Sequence, residues 1–420
     1  MYNNAKLKFY KYLKIGGNKN IMANITEKNQ ELINLHDEYI MGTYGRYPVV
    51  IVEGKGSVLK DADGKRYIDF TSGIAVNSLG AANDKWISAV NAQLNKIQHI
   101  SNYYYSDSSA KLAEKLVKLA KMKKVFFGNS GAEANEGAIK LARKYSFDKY
   151  GEGRGTIITL KDSFHGRTMT TLAATGQDVF HNYFFPFPQG FRFVERNNIE
   201  EFKNETESNS DICAIIIEPI QGESGINIID CEYIKQVYNI CKEKDILLIF
   251  DEVQTGIART GTVFAYEHFG VEPDIITLAK GLGGGLPIGA FMCNEKLENT
   301  LSAGTHGSTF GGNPAVCAGA LEVLNTVSQA DFLAEINKKG EYIASKVKSF
   351  ASDNIVEIRQ RGLMIGVQVK SAPKEYVQKC LDNGLLVLGA GTDVVRFLPP
   401  LNISYQEIDE GLAILEKVLK

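Results

Sequence analysis

Two charged side chains close otherwise apolar runs. Asp251 ends ILLIFD, and Lys280 ends DIITLAK about 30 residues later, just before four glycines within Gly281 to Gly285. A carboxylate at the end of a buried strand requires a cationic partner or hydrogen-bond donors, because burying it alone costs several kcal/mol. A lysine held short of solvent by glycine-rich backbone has a lowered pKa and serves as a nucleophilic amine. Read alone, Lys280 is equally a strand-end lysine whose stem lies along apolar surface while its ammonium stays in water. A third segment, VFFGNSGAEANEG, passes from an apolar run through Gly128, Ser130 and Gly131 into an amphipathic helical pattern. Ser130 and Glu133 have the S-x-x-E spacing of a capping box, which by itself means a well-capped helix. The same small residues also let a phosphate approach free N–H groups at the positive end of a helix. Such strand-to-helix corners are where open α/β sheets bind ligands.

Two nucleotide sites compete for these residues and fit less well. Asp251-Glu252 resembles the magnesium-binding strand of a nucleotide hydrolase, but the G-x-x-x-x-G-K-[ST] phosphate loop such a site requires occurs nowhere in the chain. The glycines after Lys280 fail the third glycine of G-x-G-x-x-G, because Leu286 stands there. What remains is one strand-end Asp and one strand-end Lys. That is the minimal equipment for pyridoxal phosphate, with the lysine amine for its aldehyde and the carboxylate for its ring nitrogen.

The elements that must position these residues follow from hydrophobic periodicity. From residue 125 onward VFFG, TIITL, CAIIIEPI, ILLIFDEV, DIITLAK and GAFMC alternate with helical stretches. They are apolar throughout, as strands covered on both faces are. Ahead of them the pattern predicts a helix around 28–41, a strand at VVIV, and a hairpin in SVLKDADGKRYIDF with Asp63-Gly64 as its turn. Beyond Pro314 come two long helical stretches, then VEIRQRGLMIGVQVK and LLVLGAGTDVVRFL with a helix between, and a terminal helix. The expected fold class is α/β, with a large, mainly parallel-sheet domain over 77–312. The pieces 23–76 and 313–420 jointly form a smaller, discontinuous α+β domain, and 1–22 is a flexible extension with Met22 as an alternative start. A chain of 420 residues, against about 150 for one domain, accommodates that division.

Composition removes other function classes. Forty-seven Lys and Arg against 49 Asp and Glu leave a net charge of -2, so no global field favours nucleic acid or an anionic membrane. Any anionic ligand is held locally. The six cysteines show no C-x-x-C pairing and no zinc spacing, which points to no metal and to a reduced, cytoplasmic compartment. No apolar stretch reaches the roughly 18 residues of a membrane span. Lys6, Lys8, Lys11, Lys14 and Lys19 precede any acid, yet the segment lacks the apolar core of a signal peptide and the Arg and Ser of a transit peptide.

Taken in order, SGAEANE, FHGRT, EPIQGESG, LLIFDEVQTG, TLAKGLGGGLPIGA, HGSTFGGNP and VVRFLPPL resemble the class III pyridoxal-phosphate aminotransferases, in the branch that acts on acetylornithine. The resemblance runs from about Tyr39 to the C-terminus. It implies a fold-type-I architecture, pyridoxal 5'-phosphate as cofactor, and a homodimer whose active sites are shared at the interface. By motif position it implies that Lys280 carries the cofactor and Asp251 keeps its ring nitrogen protonated. Gln254 would hydrogen-bond the ring hydroxyl, Val253 would pack under the ring and Phe164 would stack over it. Ser130, Gly131 and Ala132 would bind the phosphate, with Thr309 arriving from the neighbouring subunit. Arg167 would take the substrate carboxylate with Tyr44 and Ser308 nearby, while Glu223 and Arg396 would form a switch pair. Read singly, Phe164 is a core residue, Arg167 a surface charge and Thr309 a turn residue.

The activity so implied is transamination of N2-acetyl-L-ornithine with 2-oxoglutarate to N-acetyl-L-glutamate 5-semialdehyde and L-glutamate, in arginine biosynthesis. The alternative is a related ω-aminotransferase acting on succinylornithine, ornithine or 4-aminobutyrate. Gly73 stands where ornithine aminotransferases usually carry an aromatic residue, which tilts the substrate toward acetylornithine. Two segments depart from the family pattern: GAAND at 80–84 replaces G-H-x-H-P, and GIARTG at 256–261 replaces G-x-G-R-T-G.

Overall fold

The apolar runs from residue 125 onward form one seven-stranded sheet in the computed structural model, which describes residues 27–420. The extension expected at 1–22 lies outside the described residues, as does the start of the 23–76 piece. The strands lie in the spatial order Lys124–Gly128, Gly289–Cys293, Ile275–Leu278, Leu247–Asp251, Ile212–Ile217, Thr156–Leu160 and Phe191–Val194. Gly289–Cys293 is antiparallel to both neighbours, and every other pairing is parallel.

Strand parity then decides where each strand-end side chain goes. Leu247 and Ile249 are buried with Ala138 and Leu141 of the helix Gly131–Tyr150. Leu248 and Phe250 are buried with Ile234 and Val237 of the helix Cys231–Lys244, on the opposite face. Successive side chains of a strand alternate faces, so Asp251 falls on the side of Leu247 and Ile249. Its neighbour Glu252 falls on the other. There Glu252 accepts from the backbone N–H of Ala265 and Tyr266 at 2.9 and 2.7 Å and from the Thr255 hydroxyl at 2.9 Å. Glu252 therefore holds a turn and takes no part in the Asp251 cavity.

Smaller sheets flank this one. Val58–Asp61 and Arg66–Asp69 form the expected hairpin with Gly64 at φ +82. The preceding strand is Ile51–Lys55, shifted from VVIV. Leu385–Leu386 joins Arg66–Asp69 in parallel, so distant parts of the chain share one sheet. Ile355–Arg361, Met364–Val369, Val394–Phe397 and Leu388–Ala390 form an antiparallel sheet. The long helical stretches after Asn313 are Pro314–Val327 and Ala330–Ser349.

Both departures from the family pattern have local structural roles. In GAAND, Asn83 accepts from the Trp86 N–H at 3.1 Å as N-cap of the helix Asp84–Leu94. In GIARTG, Ala258 sits at φ +67, where the usual glycine would be unstrained and alanine costs roughly 1–2 kcal/mol. Arg259 beside it is buried and donates to the Leu363 and Pro399 carbonyls at 3.0 and 2.6 Å. Among the described residues no helix is long and apolar enough to cross a membrane, and no His/Cys/Asp/Glu cluster could hold a metal ion.

Candidate active site

Asp251 and Lys280 lie together at one edge of the central sheet, above the carboxyl ends of its parallel strands. There a cavity of about 490 Å³ opens, with Asp251, Lys280, Gly131, Phe164, Arg167 and Gln254 in its walls. Ser130, Ala132 and Val253 line it as well. The buried floor is Asp251. Its Oδ2 accepts from Asn135 Nδ2 at 2.8 Å and lies 2.8 Å from His165 Nδ1; its Oδ1 accepts from the Val253 N–H at 3.0 Å. Asn135 is one turn into the helix that strand parity brings over Asp251. The donor set, rather than a lysine, stabilises the carboxylate where it stands.

Lys280 follows the adjacent strand at φ +37, a left-handed conformation unusual for a non-glycine residue and typical of functional sites. Its amine makes no hydrogen bond or ion pair among the described residues. Desolvation lowers its pKa from 10.5 to about 8; the Asp251 charge opposes that shift and the Arg396 charge adds to it. At pH 7.5 a lysine with pKa 8 is neutral for roughly a quarter of the time, against roughly one part in a thousand at 10.5. The arrangement thus supplies a neutral amine near physiological pH. Glu218 also borders the cavity and accepts from the Phe164 N–H at 2.8 Å. Burial, and then the nearby Asp251 charge, push the Glu218 carboxyl well above the usual carboxylate range.

At the opposite end the helix Gly131–Tyr150 presents its N-terminus. Ser130 Oγ accepts from the Glu133 N–H at 3.1 Å, the forward half of the expected capping box. The return half is displaced: the Glu133 carboxylate accepts from the N–H of Asn129 and from its Nδ2, not from the N–H of Ser130. The first N–H groups of a helix have no intrahelical acceptor, so those of Gly131 and Ala132 remain available at the cavity wall. Gly131 is needed there because a Cβ would lie 2.7 Å from Val253 Cγ1. A compact anion fits this end, favoured by the N–H groups and by the helix dipole.

Gln254 closes the side of the cavity, with Arg396 buried behind it. Arg396 Nη1 donates to the Gly222 carbonyl at 2.8 Å and to Gln254 Oε1 at 3.3 Å, while Arg396 Nε is buried without a hydrogen-bond partner among the described residues. Burial lowers the Arg396 pKa to about 10, and Glu223 opposes that shift. The pairing expected between Glu223 and Arg396 is not closed: no ion pair joins them, and Gly222 and Gln254 occupy the guanidinium instead. At the mouth, Phe164 is half-buried and Arg167 is exposed.

Five of the expected residues do not line this cavity: Glu223 and Arg396 lie behind its Gln254 wall, and Tyr44, Ser308 and Thr309 stand further out. Tyr44 borders a separate apolar cavity of about 770 Å³ with Leu32 and Leu388, and Thr309 is exposed on the loop before Pro314. Ser308 reaches the edge, its hydroxyl accepting from Asn129 Nδ2 at 3.1 Å. Asn135, His165 and Glu218 are site residues that sequence reasoning did not assign, although all three lie inside the quoted motifs.

The sequence matches the family described as aminotransferase class-III over residues 39–419. The chain is a class-III aminotransferase. It is 50% identical over 391 residues to acetylornithine aminotransferase of Haemophilus ducreyi, covering 93% of this chain and 99% of that protein. It is 46% identical over 388 residues to acetylornithine aminotransferase of Methanocaldococcus jannaschii, covering 92% and 97%. Its fold superposes on ornithine aminotransferase of Toxoplasma gondii with a TM-score of 0.90 at 31% identity, covering 94% of this chain and 95% of that one. N-acetylornithine aminotransferase of Stenotrophomonas maltophilia superposes with 0.80 at 34%, covering 92% and 98%. Pyridoxal 5'-phosphate is the cofactor of a class-III aminotransferase, and the site fits it. An amine, a donor-held carboxylate, an aromatic face and a helix N-terminus surround one cavity.

Proposed function

We propose that this aminotransferase moves the terminal amino group of N2-acetyl-L-ornithine to 2-oxoglutarate, giving N-acetyl-L-glutamate 5-semialdehyde and L-glutamate, in arginine biosynthesis. The observation that carries the reaction type is the amine of Lys280, rendered partly neutral by burial in the same cavity as the donor-held Asp251. The substrate rests on the identities of 43–50% to proteins named acetylornithine aminotransferase. Assay of N-acetylornithine, N-succinylornithine, ornithine and 4-aminobutyrate as donors to 2-oxoglutarate tests it. N-acetylornithine should give the highest kcat/KM, and preference for any other donor overturns the assignment.

Pyridoxal phosphate, when bound, supplies an aldehyde for the amino group and a protonated ring that withdraws electrons from the reacting carbon. The chain does the rest. Ser130 and the N–H groups of Gly131 and Ala132 would hold the phosphate, Val253 and Phe164 would enclose the ring, and Gln254, whose Nε2 makes no hydrogen bond among the described residues, would take the ring hydroxyl. Asp251 would hold a proton on the ring nitrogen. Lys280 accepts a proton from the substrate carbon as a neutral amine and returns it as general acid. Arg167 binds the α-carboxylate of N-acetylornithine, with Ser308 and Tyr44 beside it.

One pocket must accept an amine on an unbranched carbon and, in the second half-reaction, one beside a carboxylate. Arg396 serves the second: with its carbonyl and amide acceptors displaced it can bind the α-carboxylate in bidentate fashion. Glu223, whose charge acts on Arg396 across an open gap, serves the first by closing on Arg396 when N-acetylornithine is bound. Arg396→Ala should therefore slow the single-turnover reaction with glutamate at least about tenfold more than that with N-acetylornithine, and Glu223→Ala should do the reverse. Equal losses in both half-reactions for both variants would leave the pair a structural feature.

The same reading makes the enzyme a cytoplasmic homodimer with shared sites, 77–312 forming the cofactor domain and the flanking pieces the smaller one. Thr309, exposed and outside its own cavity, supports donation to a partner's phosphate site, as the exposed rings of Tyr103, Tyr104 and Phe310 support an interface. Five buried, unpaired cysteines support a reducing compartment; recovery of the activity outside the cytosolic fraction would contradict that location. Mixed subunits of Lys280→Ala and Thr309→Asp should regain activity, because one site of the hybrid is intact. No recovery after verified subunit exchange would mean that each chain binds the cofactor alone.

A further inference from the structure

Arg167 carries the charge that would read the donor's carboxylate, yet among the described residues it has no hydrogen bond and no ion pair. Two rings hold it. Its Cζ lies 4.0 Å from the centroid of Phe180 and 5.5 Å from that of Phe164. The two rings meet edge to face at 5.7 Å with an interplanar angle of 83°. A guanidinium set over an aromatic face is attracted by the ring quadrupole and keeps its N–H donors, which lie in its own plane, unused. A carboxylate in the same place would hold Arg167 as firmly and would cancel the charge that a substrate anion needs.

The backbone on both sides is fixed. Gly166 stands at φ +141, and a Cβ there would lie 2.5 Å from Thr171 Oγ1 and 3.0 Å from Ala132 Cβ, so the chain enters Arg167 directly from the phosphate end of the cavity. Phe180 ends the short turn Asp178–Phe180, whose preceding residue Gln177 donates through Nε2 to the Ser163 carbonyl at 3.2 Å. His181, just after it, contacts the Leu172 carbonyl through Nε2 at 2.9 Å. The turn that carries Phe180 is thereby tied to Ser163, next to Phe164, and to Leu172 in the short helix that follows Arg167.

We propose that Phe180 is the positioning residue for carboxylate recognition, holding the Arg167 guanidinium at the cavity mouth by its ring face without neutralising it. The proposal rests on the reading of Arg167 as the carboxylate-binding residue, and its test separates the two. The holoenzyme is assayed with N-acetylornithine and with its decarboxylated analogue, mono-N-acetylated 1,4-diaminobutane, and the ratio of the two kcat/KM values is followed. Phe180→Leu keeps the volume and loses the ring face. It should lower the ratio about three- to tenfold, through the KM for N-acetylornithine, with kcat within about twofold of wild type. Phe180→Tyr should restore the ratio to within about twofold. Arg167→Ala should lower it further still. If Arg167→Ala collapses the ratio while Phe180→Leu keeps it, the arginine orients itself and the proposal fails while the reading of Arg167 stands. If Arg167→Ala also keeps it, both fail. A loss of equal size for both donors in Phe180→Leu would make Phe180 a packing residue and overturn the proposal.

Discussion

Lys280→Ala should lose multiple turnover by at least about a thousandfold and lose the visible absorbance of the lysine-linked cofactor. General acid–base transfer alone contributes roughly 10²–10⁴, and this residue also supplies the amine that receives the aldehyde. Among the described residues no second lysine lines the cavity. Arg167 in the wall is a guanidinium and no base, and Arg396 behind Gln254 has its pKa lowered only to about 10, so it stays protonated near neutrality. Stopped-flow absorbance with N-acetylornithine, followed by addition of 2-oxoglutarate, checks both losses in one experiment. Retention of full turnover would show that another amine does the chemistry. Lys280→Arg should be as inactive as the alanine variant, because a guanidinium in the same enclosure is never neutral.

The depth of this site was only partly legible in the sequence. The strands CAIIIEPI, ILLIFDEV and DIITLAK announced themselves because both faces are covered, and their order in the chain places Asp251 and Lys280 on neighbouring strands. Strand parity then sends Asp251 and Glu252 to opposite faces, which separates the site carboxylate from the structural one by period alone. What the pattern could not carry are contacts across the fold. Asn135 and His165 converge on Asp251 from a helix and a loop 116 and 86 positions away. In sequence both read as unremarkable polar residues inside well-formed motifs. Glu218 carries no assignment within EPIQGESG, and only the fold shows it buried as an acceptor for the Phe164 backbone. The displaced capping box is of the same kind. S-x-x-E fixes the spacing of Ser130 and Glu133, but whether the carboxylate folds back to Ser130 or to Asn129 depends on the strand end that precedes the helix. The alternative it adopts leaves the helix N-terminus available to an anion.

Asp251→Asn should keep the cofactor bound and slow proton transfer at the substrate carbon by roughly 10²–10³, the typical cost of removing one preorganised electrostatic contact from a site that stabilises developing charge. Binding should survive because the phosphate end and Lys280 are untouched by the change. The rate should not, for two reasons that the geometry separates. A neutral amide cannot stabilise a protonated ring nitrogen, so the electron withdrawal that makes the substrate carbon acidic is lost. The amide also cannot reproduce the hydrogen bonds around the carboxylate. If its NH₂ takes the Oδ2 position it opposes the Asn135 Nδ2 donor, and if it takes the Oδ1 position it opposes the Val253 N–H; either orientation leaves a donor unpaired in a buried site. The two causes are told apart by Asn135→Ala, which removes one donor and keeps the charge. It should cost roughly tenfold or less, in line with about 1–1.5 kcal/mol for one hydrogen bond. Single-turnover rates of the two variants at equal cofactor occupancy decide the matter. Turnover of Asp251→Asn within tenfold of wild type would remove the carboxylate from the reaction, and equal losses in both variants would make its hydrogen-bond geometry, not its charge, the property that matters.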